Sequence, residues 1–335
     1  MLKFRKRAIF SVCFLMLCAL MLGYGTQAQG KTVTIRLSYV NPRTHSVHIA
    51  FEEVKKFVDS TSEGNLKLEL YPDGQLAGER QAIEAVQLGV FEMTYPTTSV
   101  LSNFEPVFQV FDLPYLFSSR SVADKVLDEG LGVTLLDKLP QRNLIGLGYA
   151  ENGFRHVTNN KRPIKSPEDL EGIKIRTMES PIHMESFRAL GANPTPISFT
   201  ELYTALQQGT VDAQENPISL IYTSKFYEVQ KYCSLTGHFY TPGILLINKM
   251  FFESLDPDLQ SIIRQAAKLY TEKQREINRQ QDAEYLVKLK EYGMMVNEIE
   301  DKERFAETVK PVYEKFAPSF GDEIVEEVNK IREMK

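Results

Sequence analysis

The sequence predicts an α/β protein of two similarly built lobes, each a mixed, mostly parallel sheet flanked by helices, with one long helix spanning both. Three observations predict it. From residue 31 onward, stretches of period-two apolar alternation are interleaved with stretches of helical spacing, the rhythm of βα units. That rhythm restarts near Gly153, and "AVQLGVFEMTYP" at 85–96 is echoed by "ALQQGTVDAQENP" at 205–217: helix end, glycine, an acidic residue three positions on, strand, proline. Residues 257–292 read as a single amphipathic helix, which at 1.5 Å per residue reaches about 50 Å, enough to lie across two lobes.

Taken in order, Lys3, Arg5, Lys6 and Arg7 precede an apolar run from Ala8 to Leu22 and a small polar segment, "GYGTQAQG". The run is short for a membrane span, so residues 1–28 are expected to be a cleavable signal peptide ending at Ala28, and the protein is expected to be exported. Cys18 suggests a lipoprotein, but Leu17 before it is too large for that signal. Val33, Ile35, Leu37 and Tyr39 then alternate as a strand, "HIAFEEVKKFVD" has helical spacing, and Leu66, Leu68 and Leu70 alternate again. A helix over Glu79–Leu88, a strand over Phe91–Tyr95, a helix over Ser121–Leu139 and a strand over Leu144–Tyr149 complete the first block.

In the second block, Ser166 and Ser180 each precede a proline, an N-cap followed by Pro at the first helical position, with the strand "IKIR" between them. Ser198 and Glu201 form a predicted capping box, and Gly209 closes that helix. "TPGILLINK" is a strand whose apolar core reads back toward the first sheet. The 257–292 helix follows, with Leu259, Ile262, Ile263, Ala266, Leu269, Ile277, Leu286 and Leu289 as its apolar positions. The expected lobes are 31–152 plus 241–275 and 153–240 plus 280–325.

The 335 residues are 43% hydrophobic and 25% charged, enough to bury a large core. Loss of residues 1–28 takes four positive charges and moves the net charge from −5 to −9, which disfavours a nucleic-acid partner. Only Cys233 survives cleavage, so it reads as a packing residue with no disulfide. There is no P-loop, no G-x-G-x-x-G after a strand, no G-x-S-x-G, no H-E-x-x-H and no C-x-x-C. His45 and His48 are three apart with no third ligand in reach of sequence, so neither a metal nor a cofactor is expected. The pattern favours a binding protein over an enzyme.

In an open α/β sheet, ligands bind beyond the carboxyl ends of the strands. Arg176 stands there, at the end of "IKIR", and Arg155 follows the 144–149 strand where the chain passes between lobes. Two guanidiniums so placed can converge on one carboxylate, each offering two parallel donors. Asn216, in "QENP", is both a predicted N-cap and a candidate ligand contact. Glu79 stands at a helix start, where it also suits the helix dipole. Thr97, Thr98 and Ser99 follow one strand, and His238 and Tyr240 another; such side chains suit a hydroxylated ligand and also turns. Phe104, Phe108, Phe111, Tyr115 and Phe117 read as core packing.

The succession of signal peptide, "YPDGQLAGER", "LPYLF", "NGFRHVTN", "GIKIRTM", "VDAQENP" and a long late helix resembles the solute-binding proteins of tripartite ATP-independent periplasmic (TRAP) transporters over nearly the whole mature chain. The resemblance implies a two-lobed periplasmic binding protein fold that closes around an organic acid and delivers it to TRAP membrane permease subunits, with a monomer as the default state. It implies that Arg176 clamps the carboxylate, that Arg155 is the family's second arginine and that Asn216 faces the ligand. Glu79, His45, Asn41 and the Thr98–Ser99 segment carry over as first-lobe contacts. Glu79 would repel a second carboxylate and accept hydrogen bonds from hydroxyls, and His238 and Tyr240 suit the same ligand. A sugar acid such as a uronate or aldonate is therefore expected ahead of a C4-dicarboxylate. An ABC-type binding protein and a secreted enzyme acting on sugar acids are the alternatives.

Overall fold

The computed structural model describes residues Thr32–Met334, and the expected signal peptide lies outside them. The first half runs β1 (Val33–Ser38), α1 (Ser46–Thr61), β2 (Leu66–Tyr71), α2 (Glu79–Gln87), β3 (Met93–Thr94), α3 (Thr98–Leu101), α4 (Arg120–Glu129), α5 (Leu131–Leu136) and β4 (Leu144–Phe154). The second runs β5 (His156–Asn159), β6 (Lys174–Thr177), α6 (Pro181–Ala189), β7 (Asn193–Pro196), α7 (Phe199–Gln207), β8 (Ala213–Asn216), α8 (Ile218–Thr223) and β9 (Tyr232–Leu235). The chain then returns through β10 (Tyr240–Asn248), α9 (Lys249–Glu253), α10 (Pro257–Glu291), β11 (Met295–Glu298), α11 (Lys302–Thr308), α12 (Lys310–Phe316) and α13 (Asp322–Glu333).

Two mixed sheets result, ordered β2-β1-β3-β10-β4 and β11-β9-β5-β8-β6-β7. Each is built on a β-α-β-α-β unit whose third strand returns parallel beside its first, β3 on β1 and β8 on β6. Each unit is bordered by an antiparallel strand from elsewhere in the chain, β10 on β3 and β5 on β8. The echo between 85–96 and 205–217 is thus the α2–β3 and α7–β8 step of two like lobes. The chain passes between sheets at β4–β5, at β9–β10 and after α10. The first two passages lie side by side, since Tyr240 pairs with Phe154 and the Arg155 N–H donates to the Phe239 carbonyl at 2.9 Å.

Several elements differ from the sequence reading. The 144–149 strand runs five residues further, to Phe154, because β10 pairs with it throughout. The 121–139 helix breaks at Gly130 into α4 and α5, and the 91–95 strand pairs only at Met93 and Thr94. Ser166 heads a 3-10 turn, with a capping box to Asp169. Ser198 forms no such box: its hydroxyl bonds the Glu201 carboxylate at 2.5 Å and leaves the backbone donors of α7 uncapped. Asn216 is the last residue of β8 and not an N-cap; Pro217 takes that place. Within β10, Gly243 is required by packing, since a Cβ there would come within 2.0 Å of the Tyr95 hydroxyl.

The long helix α10 spans 35 residues, opened by Pro257 at its first position and closed with Lys288 and Lys290 in its last turn, where cations suit the helix dipole. Its buried stripe is apolar only at the ends, with Ile263, Ala266, Ala267 and Tyr270 at one and Tyr285 and Leu289 at the other. The middle is polar and buried: Gln274, Arg275, Asn278, Gln281 and Asp282. Gln274 exchanges hydrogen bonds with the Glu151 backbone at 2.8 and 2.7 Å, Asn278 and Gln281 hold Ser46 at the start of α1, and Asp282 accepts the Ser219 N–H at 2.9 Å. Glu151, 0% exposed, sits between Arg120 at 2.6 Å and Arg279 at 2.8 Å, and Arg120 also meets Asp282 at 2.5 Å. A buried carboxylate is tolerated only when so paired. Replacing Glu151 with alanine removes the shared carboxylate between two cations that are each about one-third exposed, leaving Arg120 only Asp282 and Arg279 only Asp124. It is expected to cost about 3 kcal/mol, the lower end for a broken buried pair, measured by denaturant unfolding of residues 29–335; an unchanged midpoint and slope would refute the network's role.

Candidate functional site

The two lobes meet at a cavity lined from the first-sheet side by Asn41, Glu79, Tyr95, Thr97 and Asn152 and from the second-sheet side by Arg176, Met178, Phe199, Asn216 and Leu220, with Arg155 in the passage between. The space between them is narrow and partly open to solvent. The lobes are shut across it. Gly74 lies so near Thr200 of α7 that a Cβ would approach within 2.7 Å, Arg80 reaches Glu179 at 3.2 Å, and Asn103 donates to the Glu179 carbonyl at 2.7 Å.

Arg176 is placed by β6, where Ile173 just before the strand and Ile175 within it sink into the core on either side of solvent-facing Lys174. The arginine itself is 2% exposed. Its Nε donates to the Ile197 carbonyl at 2.8 Å; neither terminal nitrogen meets an acceptor, and Nη1 is fully buried. Burial pulls its pKa down to about 10, with Arg155 acting the same way and Glu215, Glu79 and Glu179 opposing. It remains a cation at neutral pH.

Arg155 is held differently. Its Nε donates to the Glu215 carboxylate, and its Nη2 donates to Glu215 Oε1 at 2.8 Å, to the Glu215 carbonyl at 2.5 Å and to Asn216 Oδ1 at 3.1 Å, leaving Nη1 buried without a partner. Burial disfavours the Glu215 charge, yet the Arg155 guanidinium and His238 together hold its pKa well below the usual carboxylate range. His238 Nε2 stands 3.3 Å from that carboxylate and its Nδ1 2.7 Å from the Thr236 hydroxyl. Burial lowers the His238 pKa, against the pull of Glu215. The two arginines are therefore unequal: Arg155 is matched by Glu215, and Arg176 carries the unmatched charge.

Glu79 opens α2 and accepts the Thr97 N–H at 3.2 Å and its hydroxyl at 3.1 Å. Burial raises its pKa despite those bonds and the two arginines. Asn216 is tied through both ends of its amide, to Arg155 and to Gln214 at 2.5 Å. The Asn41 and Asn152 carboxamides line the cavity with no hydrogen bond from the described residues.

The structure thus brings Arg176, Arg155, Asn216, Glu79 and Asn41 to one cavity. Thr98, Ser99, His45, His238 and Tyr240 lie outside its lining. Ser99 donates to Asp112, whose other oxygen takes the Ser180 hydroxyl at 2.7 Å, and Thr98 bonds the Pro242 carbonyl at 3.4 Å. Tyr240 packs between Phe117 and Phe154. His45 caps α1 through Nδ1, and its Nε2 meets the Ser219 hydroxyl at 3.3 Å, while His48 bonds Tyr39. Glu215, Asn152, Tyr95 and Thr97 enter the site as partners or lining. Asn152 had a readable signal: Asn-Gly in one strand facing Pro-Gly in another marks a break in pairing. Cys233 is a buried thiol of the second core, its pKa pushed up to about 12 by burial.

Matching lobes, linked by paired passages and a shared helix and shut over a guanidinium that no carboxylate contacts, are the build of a solute-binding protein. Residues 37–319 match the family described as bacterial extracellular solute-binding protein, family 7, and the chain belongs to that family, whose solved members include the solute-binding proteins of TRAP transporters. The 2,3-diketo-L-gulonate-binding periplasmic protein YiaO of Escherichia coli is 36% identical over 293 residues, 86% of this chain and 89% of its own. The structure of a TRAP periplasmic solute binding protein from Polaromonas bound to D-erythronate superposes with a TM-score of 0.87 at 39% identity, covering 91% of this chain and 99% of that one. A sugar acid binding protein from Advenella mimigardefordensis in complex with galactonate gives a TM-score of 0.88 at 41% identity over 90% and 98%.

His45 provides a pH test of the closed lobe junction. Burial lowers its pKa from 6.5 to about 3. The unfolded chain therefore binds a proton below about pH 6.5 that the folded chain refuses, so this group's contribution is intact above that pH and is lost as pH falls. Asn is an equally good N-cap that does not titrate. The stability of His45→Asn relative to wild type is expected to improve by about 1.4 kcal/mol per pH unit between pH 6 and 4. A pH-independent difference in denaturant unfolding would show His45 to be exposed.

Proposed function

We propose that this protein is the periplasmic receptor of a TRAP transporter for a monocarboxylic sugar acid, an aldonate or uronate, which it binds between its lobes and hands to the membrane permease. The observation that carries the reading is the buried Arg176 guanidinium with no anionic partner. A buried charge without a counterion is costly, and a ligand carboxylate matches the guanidinium's parallel donors. The ligand then lowers the energy of the closed state relative to the open one, which is the only way it can drive closure. Arg155 and Asn216 line the same cavity, and the unpartnered Arg155 Nη1 is the second donor offered to the carboxylate.

A sugar acid is favoured over a C4-dicarboxylate because Glu79 shares the cavity: its carboxylate repels a second ligand carboxylate, while it accepts hydrogen bonds from hydroxyls. Relatives named for diketogulonate, erythronate and galactonate support the same class. The long helix and the family set the ABC-type alternative aside. Export to the periplasm rests on the N-terminal signal pattern and the extracellular family.

The first test is a thermal-shift and calorimetric screen of residues 29–335 against aldonates, uronates, keto acids and dicarboxylates, with the bound ligand recovered afterwards. A ligand at a hundred times its Kd should stabilise by about 2.7 kcal/mol and come back chemically unchanged. Arg176→Ala should weaken binding by about 2–5 kcal/mol, the cost of truncating one partner of a buried charge pair, and Arg176→Lys should recover only part of it. Wild-type affinity in Arg176→Ala would end the clamp assignment, and conversion of the ligand would favour an enzyme.

A further inference from the structure

We infer that Asn152 is a specificity-determining contact that reads one hydroxyl group of the bound acid; this rests on the sugar-acid reading above. The pairing of β4 with β10 slips between Thr241 and Pro242: Gly153 faces Thr241, Glu151 faces Pro242, and Asn152 faces no residue of the partner strand. Pro242 has no N–H to give, so the ladder breaks where it stands. The extra residue in such a bulge bends its strand and re-aims side chains, a device found beside binding sites. Gly153 completes it at φ +114°, where a side chain would strain the backbone. Glu151 is thereby committed to Arg120 and Arg279, and Asn152 to the cavity.

The Asn152 carboxamide is 4% exposed and lines the cavity, yet makes no hydrogen bond with the described residues. Such an amide presents two donors and an acceptor, none of them bonded to the described residues, to whatever fills the cavity. What satisfies both halves of an uncharged amide is a group that also donates and accepts, namely a hydroxyl. A carboxylate accepts only, and Arg176 is the stronger site for it. Glu79 accepts hydrogen bonds but is already committed to Thr97, so Asn152 supplies a donor for the ligand's hydroxyl oxygen that Glu79 in its ionised form lacks.

The test uses residues 29–335 and whichever of D-erythronate, galactonate and glucuronate titrates most tightly, together with the set of its monodeoxy derivatives. Wild type is expected to bind one derivative at least tenfold more weakly than the parent, because a site built to bond a hydroxyl rejects the analogue lacking it. Asn152→Ala is expected to bind that derivative and the parent within twofold of each other. Asn152→Leu keeps the volume without the amide and should give the same loss of discrimination if the alanine variant folds poorly. Discrimination retained in both variants, or none in wild type, overturns the assignment while leaving the receptor reading standing. A wild-type protein that binds none of the three acids overturns both.

Discussion

Glu151 is a carboxyl group with no access to water, and the fold around the site is organised by the groups that pair with it. Arg120 from the start of α4 and Arg279 from the long helix grip its two oxygens, and its backbone is bracketed by Gln274 one turn away. Arg120 extends the chain of charges to Asp282, which accepts the Ser219 N–H in the first turn of α8. Burial raises the Asp282 pKa to about 6 against the Arg120 guanidinium, so the network is balanced between ion pairing and desolvation. Apolar packing alone would let the long helix slide against two lobes; directional bonds fix its register. Because Glu151 belongs to β4, the same register fixes where Asn152 and Arg155 emerge.

The electrostatics of the cleft follow from an unequal treatment of two arginines. Arg155 crosses between lobes inside a cage made by Glu215, itself oriented by His238 and Thr236, so its charge is spent within the protein. Arg176 receives a single backbone carbonyl. The closed lobes therefore enclose one guanidinium that no carboxylate contacts, against an overall negative chain. Glu79, whose pKa is raised by burial, limits how much negative charge can be added beside it. A single carboxylate with an uncharged polar body is what such a cavity accommodates.

Much of this was legible in sequence. Period-two and period-3.6 patterns gave the βα order, and prolines at helix starts marked α6 and α10. The strand "IKIR" read as a core strand with a charge at its tip because Ile173 and Ile175 alternate with Lys174. Other residues deceived for physical reasons. Ser99 and Thr98 have the chemistry of ligand contacts but are consumed by Asp112 and the Pro242 carbonyl, partners more than ten residues distant. His238 has the chemistry of a ligand contact too, but serves Glu215. Apolar spacing picks out α10 by its leucines and isoleucines, although the face that binds both lobes at its middle is polar.

The sequence by itself determined the local elements, their order and the duplicated βα unit, because those depend on spacing between near neighbours and on backbone constraints of Pro and Gly. It also determined that arginines, an asparagine and a glutamate stand at strand and helix ends, where sites form. Only the tertiary structure decided which of them remain uncommitted. Whether a guanidinium meets a carboxylate from 60 residues away, as Arg155 does, or is left without one, as Arg176 is, depends on three-dimensional proximity that no local pattern encodes.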